Sequence, residues 1–246
     1  MPYDKIIIGA GLYGLYAARF CGRQGQRVLL LEKDAVPFSR ATTINQARVH
    51  MGYHYPRSLS TALGTRDYFE RFVDDFAYCI KADFQQVYAT SAHFSWTNAT
   101  EFKRFCNAAN IPCDEISPDK YFKPGLCDGA FITREYTYDA VLLRRQLLDD
   151  LAVLPNVQLR FSAGVTGIEQ SGGHWVVHTA AGEREQTAYL LNTAYAGVNE
   201  VNALAGFEPF SIKYELCEMI LCEADHALEG VGITVMDGPF FSIMPF

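Results

Sequence analysis

The sequence predicts an α/β fold in which a Rossmann-like nucleotide-binding domain is interleaved with a sheet-rich α+β domain. Three observations predict it. A strand, a glycine turn, a helix and a second strand follow one another within the first 32 residues. A helical stretch and then a run of alternating strands lie between Asp139 and Asn192. The stretches between and after these have helix and strand periodicity but no place in a nucleotide fold. The 246 residues suffice for one large domain or two interleaved ones, and 49% hydrophobic with 20% charged residues is ordinary globular composition.

In the first unit, Lys5–Ile8 is a short β-branched run ended by Gly9, as expected of a strand buried on both faces. Gly9-Ala10-Gly11-Leu12-Tyr13-Gly14 follows and opens a helix that Gly22 and Gly25 punctuate. Val28–Leu31 is the second strand, closed by Glu32. Gly9 permits the tight turn, Gly11 lets a pyrophosphate approach the backbone, and Gly14 lets helix and sheet pack closely. The helix start at Leu12 and Tyr13 offers free N–H groups to phosphates. Glu32 comes 18 residues after Gly14, close to the ~20 expected of a carboxylate that binds an adenosine ribose. No arginine follows Glu32 to take a 2′-phosphate, and Lys33 faces solvent or reaches toward phosphate.

An NAD enzyme would continue with another βα unit. Here the chain enters an irregular loop from Asp34 to His50. Its polar residues suit a long ligand that continues past the pyrophosphate, hence FAD. Arg40, Ala41, Thr42, Thr43, Asn45, Gln46 and Ala47 are the expected contacts. The ensemble resembles the FAD-dependent oxidoreductases of the D-amino acid oxidase (glycine oxidase-type) superfamily. Asn45-x-x-x-x-His50-x-Gly52-x-x-Tyr55 looks like the NSGVIHAGIYY pattern of its L-2-hydroxyglutarate dehydrogenase branch. Gln46-Ala47-Arg48 and His54 depart from that pattern, so the branch's substrate does not carry over. The resemblance implies that Val165 contacts adenine and that Thr193, Ala194 and Gly197 form the turn closing the FAD domain.

Asp139–Leu154 reads as a helix with Asp139 as N-cap and Pro155 just past its end. Val157–Phe161, a meander, and a buried strand at Ala188–Asn192 follow. On the other side, Ser58–Ile80 reads as a long helix or helix pair, Phe84–Trp96 as a strand, and Asn98–Asn110 as a helix capped by Asn98 or Thr100. Phe207–Cys222 and Gly232–Phe246 read as strands, the latter turning at Asp237-Gly238. Phe69, Phe72 and Phe76 form a core stripe. The expected division is residues 1–80 and 136–206 for FAD, with 81–135 and 207–246 for substrate. Relatives of this type continue with more strands and a glycine-rich segment over the flavin, so the chain reads as a fragment or a shortened or partner-completed protein.

The expected activity is hydride transfer from a small hydroxy acid, amine or amino acid to FAD. In an extended Asn45–Tyr55, Gln46, Arg48 and His50 share one face, and Ala47, Val49 and Met51 the other. His50 titrates near neutrality and is the candidate base; equally, it is a strand histidine that braces its surroundings. Arg48 or Arg57 offers a fork for a substrate carboxylate. Tyr53, His54 and Tyr55 are candidate pocket linings, with packing the alternative for the tyrosines. Two other readings stand beside this: a non-catalytic FAD-binding subunit completed by a partner, and a non-redox flavoenzyme such as a nucleotide-sugar mutase.

A net charge of -7 argues against nucleic acid as a partner. Seven cysteines without a CxxC read as reduced thiols, not as a metal site, and suit a cytoplasmic protein. No signal peptide or membrane span is expected. Oligomeric state stays open.

Overall fold

The computed structural model describes residues 1–216, 218–238 and 241–245. In chain order the first elements are β1 (Tyr3–Ile8), α1 (Leu12–Arg23), β2 (Val28–Leu31), β3 (Arg48–His50), α2 (Leu59–Asp75), β4 (Ile80–Lys81), β5 (Gln85–Ser91) and α3 (Ala99–Ala109). Then come β6 (Cys113–Ile116), β7 (Cys127–Thr133), β8 (Glu135–Tyr138), α4 (Ala140–Ala152), β9 (Val157–Arg160), β10 (Val165–Ser171), β11 (His174–Thr179), β12 (Arg184–Asn192), α5 (Val198–Leu204), β13 (Val231–Met236) and β14 (Ser242–Ile243). The chain divides into two compact units, residues 1–45 with 140–219, and residues 46–139 with 220–246.

In the first unit six strands run in the order β10-β11-β12-β1-β2-β9. β12, β1, β2 and β9 are parallel, and β10 and β11 join β12 as an antiparallel meander. β1 and β2 carry continuous apolar runs because both their faces are covered. α1 turns Leu15, Ala18 and Gly22 inward. A Cβ on Gly22 would lie 2.4 Å from Val157, so glycine sets how closely α1 approaches β9. α4 buries Leu143, Leu147 and Leu151, one per turn, on a single stripe. Arg19 and Arg23 of α1 both bind Asp150 of α4, at 2.9 and 3.1 Å.

The second unit holds a five-stranded sheet, β14-β13-β5-β7-β6, and a three-stranded sheet, β3-β8-β4. Its core gathers Val49, Met51, Tyr53, Phe69, Tyr88, Phe102 and Phe131. Each of the larger side chains here contributes roughly 1.5–3 kcal/mol by leaving water. α3 begins with a capping box: the Asn98 side chain accepts the Glu101 N–H at 2.9 Å, and Glu101 accepts the Asn98 N–H at 3.1 Å. Phe69 and Phe76 are buried, as the aromatic stripe predicts.

Several expectations need correction. Residues 46–80 and 136–139 group with the second unit, because β3 and β4 pair with β8 and α2 packs on β3 and α3. Residues 207–219 group with the first. No strand forms among the described residues of 207–222: a strand needs a sheet edge, and this segment is held instead by Asn199, which bonds Phe210 N and O, and by Tyr214 Oη on the Ala196 carbonyl. The end of β12 is half-buried on Leu190, Leu191 and Asn192, not fully buried. Gly232–Phe246 splits into β13 and β14 around Asp237, whose φ is 60°; Pro239, Phe240 and Phe246 lie outside the described residues, as does Cys217. No helix of the described residues is long and apolar enough to cross a membrane.

Candidate functional site

The first unit positions the glycine turn. Gly9 has φ 106°, a conformation side chains rarely adopt. A Cβ on Gly14 would lie 1.9 Å from the Gly9 carbonyl, so this close crossing of helix and strand excludes any larger residue. Thr193 fastens the turn: its N–H and its hydroxyl both donate to the Ile8 carbonyl, at 2.9 and 2.8 Å. Thr193 thereby ties the end of β12 to the glycine turn. Ala194 follows, its N–H on Asn192 Oδ1.

α1 starts at Leu12 after Gly11, with no side-chain cap from Gly11 and no acidic residue in its first turn. Its positive end is therefore not offset by its own residues, which suits a diphosphate. Tyr13 projects to solvent. Leu12 N–H donates to Thr42 Oγ1 at 3.2 Å, and that hydroxyl stands 3.3 Å from where a Gly11 Cβ would be. Glu32 closes β2 and accepts the Ala10 N–H at 2.7 Å and the Asp34 N–H at 2.9 Å. These two bonds leave lone pairs on its carboxylate for ribose hydroxyls.

The loop beyond is tied to itself. Arg40 forks onto Asp34 at 2.7 and 2.9 Å, and with Ser39 holds its carboxyl well below the usual range. Thr43 donates to the Phe38 carbonyl, and Asn45 to the Ala41 carbonyl. These side chains hold the loop to itself. Lys33 is exposed. Val165 opens β10 three residues after Ser162, whose N–H binds the Asp34 carbonyl, while Ala163 N–H binds that of Glu32. The chain thus brings Val165 to the end of β2, near Glu32.

In the second unit β3 places Arg48 and His50 on one face while Val49 and Met51 enter the core. Gln46 and Arg48 do share a face: Gln46 Oε1 accepts from Arg48 Nη1 at 3.2 Å. Arg48 is not a free fork. Its Nε donates to Glu135 on the neighbouring β8, and its Nη atoms reach Thr234 at 2.7 Å, Tyr88 at 3.1 Å and Ser242 at 3.2 Å. The Glu135 side chain has 0% exposure, and its second oxygen accepts the Tyr88 hydroxyl at 2.6 Å. Burial pushes the Glu135 carboxyl up, against the pull of Arg48 and Tyr88. Ala47 passes through φ 49° on the way into β3, and its carbonyl accepts the Tyr138 N–H.

His50 is moved from its ordinary value to about 4, by burial first and then by the Arg48 charge. It is neutral at pH 7, contrary to the expected titration near neutrality. Its Nδ1 accepts the Gly52 N–H at 3.0 Å. His54 is pushed lower still by burial, Arg48 and His50. Its ring centre lies 5.0 Å from that of His50 and 5.4 Å from Tyr88. Tyr53 is fully buried, its hydroxyl donating to Pro112 O and accepting from Arg134 N–H, so it packs the core and lines nothing. His54, Tyr55, Pro56, Arg57 and Ser58 line an open pocket of about 270 Å³. The sequence reasoning missed Glu135 and Tyr88, because a carboxylate and a phenol in strands give no local signal of what they face.

A parallel β–α–β unit with a glycine crossing, a bare helix start and an acid closing its second strand defines a dinucleotide-binding α/β protein. The chain belongs to the FAD-dependent oxidoreductase family, whose model, described as DAO, FAD dependent oxidoreductase, matches residues 4–233. FAD is the cofactor of that family. The chain is similar to the FAD-dependent monooxygenase FPY4 of Fusarium mangiferae, 32% identical over 118 residues, which are 48% of this chain and 32% of that protein. Among solved structures it resembles the dithionite-reduced, FAD-bound L-α-glycerophosphate oxidase of Mycoplasma pneumoniae (TM-score 0.66, 20% identity, 84% of this chain and 57% of that one). It also resembles glycine oxidase of Geobacillus kaustophilus (TM-score 0.63, 16% identity, 82% and 58%). These likenesses concern the fold, and the chain spans under three fifths of each of those structures.

Proposed function

We propose that the protein takes a hydride from a small hydroxy acid, amine or amino acid, with the first unit as FAD domain and the second as substrate domain. When bound, FAD accepts a hydride from a substrate C–H. The observation that carries the reading is the strand–turn–helix–strand unit with its bare helix start and Glu32 in order. In it the first-turn N–H groups beyond Leu12, whose own N–H is taken by Thr42, hold phosphate, Glu32 holds a ribose, and Val165 borders the adenine. Gln46 and Arg48 stay within the buried network of the second unit and give it rigidity.

His50 acts as a donor. With Nδ1 occupied by the Gly52 N–H, the neutral ring carries its proton on Nε2 and offers that N–H to a substrate oxygen. The base role would require the ring to turn away from Gly52. The free thiols among the described cysteines suit a reducing compartment such as the cytoplasm. The test is a visible spectrum of the purified protein, then anaerobic addition of 2-hydroxy acids, D- and L-amino acids and N-methyl amino acids. One class is expected to bleach the flavin band. Gly11→Val is expected to abolish FAD binding by blocking the pyrophosphate. Absence of flavin after reconstitution of the wild type with FAD would sink the reading.

A second reading, FAD-dependent monooxygenation, draws on the similarity to FPY4. Incorporation of ¹⁸O from labelled dioxygen into an organic product would favour it over simple oxidation.

A further inference from the structure

We propose that Arg57, held by Asp237 and Trp96, is the seat for the carboxylate of a small acid in the pocket at His54–Ser58. The proposal rests on the reading of the second unit as the substrate-binding part. Arg57 and Asp237 form an asymmetric pair: the Asp237 side chain is 5% exposed and that of Arg57 66% exposed. Arg57 Nε donates to Asp237 Oδ1 at 3.0 Å, and the other carboxylate oxygen takes the Thr97 hydroxyl. Trp96 N–H donates to the Asp237 carbonyl at 3.0 Å, which fixes the strand end that carries the acid. The guanidinium carbon lies 4.9 Å from the centre of the Trp96 ring.

One in-plane bond and one ring face therefore set the position of the guanidinium. Its Nε is used, while Nη1 and Nη2 make no hydrogen bond to the described residues. These two nitrogens present parallel N–H groups, the geometry that matches a carboxylate. Ordering a long side chain costs rotamer freedom, and here that ordering precedes the ligand. The pocket supplies the rest. Among the described residues that line it, Arg57 is the one formally charged, since His54 is neutral at pH 7, and the Asp237 carboxylate engages the guanidinium through Nε. α2 begins directly after Ser58 without an acidic residue in its first turn, so the start of the helix adds no negative charge to the pocket. At about 270 Å³ the space sits at the low end of ligand pockets, which restricts the acid to few non-hydrogen atoms. Asp237 and Trp96 are positioning residues for Arg57.

The test is calorimetric titration of the purified protein with benzoate, with its neutral isostere benzamide, and with methylphosphonate. Benzoate is expected to bind roughly tenfold or more tightly than benzamide, the gain of a charge-assisted bidentate contact. Arg57→Met is expected to abolish that preference, and Arg57→Lys to restore only part of it. Asp237→Asn and Trp96→Leu are expected to lower the benzoate-to-benzamide ratio several-fold, whereas damage to the pocket alone lowers both ligands together. Trp96 is mostly exposed, so its variant serves if Asp237→Asn does not fold. An unchanged ratio in Arg57→Met, or tighter binding of methylphosphonate than benzoate, overturns the proposal. FAD content measured in the same samples separates the two ideas: selective carboxylate binding without flavin leaves this seat standing and removes the oxidoreductase reading, and flavin without selectivity does the reverse.

Discussion

Replacing Arg48 with alanine is the sharpest test of the buried network. In the native fold its guanidinium serves Glu135, Thr234, Tyr88, Ser242 and Gln46. Without it, the fully buried Glu135 carboxylate keeps only the Tyr88 hydroxyl, at 2.6 Å. Breaking one side of a buried pair costs about 3–5 kcal/mol, because the remaining charge is left uncompensated. At ~2–4 °C per kcal/mol for a chain of this size, the melting temperature should fall by roughly 6–20 °C. The assay is thermal unfolding followed by near-UV circular dichroism, which reports the packed tyrosines of this unit. Glu135→Ala should cost a similar amount. The double variant Arg48→Met/Glu135→Leu should cost clearly less than the sum of the singles, since it leaves no stranded charge. A drop of under about 2 °C for Arg48→Ala, with loss of catalysis, would refute the structural role and return Arg48 to the substrate.

Other predictions concern pH, the glycine crossing and the helix start. His50 is lowered from 6.5 to about 4, so between those values the unfolded chain binds a proton that the fold does not. Stability is therefore unaffected by His50 above pH 6.5, falls as pH drops toward 4, and levels below that, for a total of about 3 kcal/mol. His50→Gln should flatten this part of the profile, and an unchanged slope of melting temperature against pH would contradict the burial argument. Gly14→Ala places a Cβ 1.9 Å from a backbone oxygen, so its ratio of flavin to protein absorbance should collapse; stoichiometric flavin would show that the turn can give way. Asn98→Ala should cost about 1 kcal/mol by removing one half of the α3 capping box, and a second cap mutation at Glu101 should add little to it, measured by urea denaturation.

Local chemistry was legible wherever one short stretch carries its own physical reason. The strand–turn–helix–strand unit could be read because the glycines, the helix start and Glu32 lie within 24 residues and each has a backbone reason to be there. The meander, α3 with its Asn98 cap, and the aromatic stripe of α2 were legible for the same reason: periodicity and capping act over a few residues. What tertiary structure alone decided is partnership. Arg48 and Glu135 are 87 residues apart, and only the pairing of β3 with β8 turns an expected substrate fork into a buried ion pair. Tyr53 and Tyr55 differ by two positions in sequence, yet one is in the core and the other is 38% exposed, because the turn at Gly52 and the packing of α2 separate them. The segment 207–222 alternates like a strand, but alternation specifies a face and not an edge to pair with. Asn45–Tyr55 thus announced polar chemistry by composition, while burial and distant partners determined which of its residues remain available for a ligand.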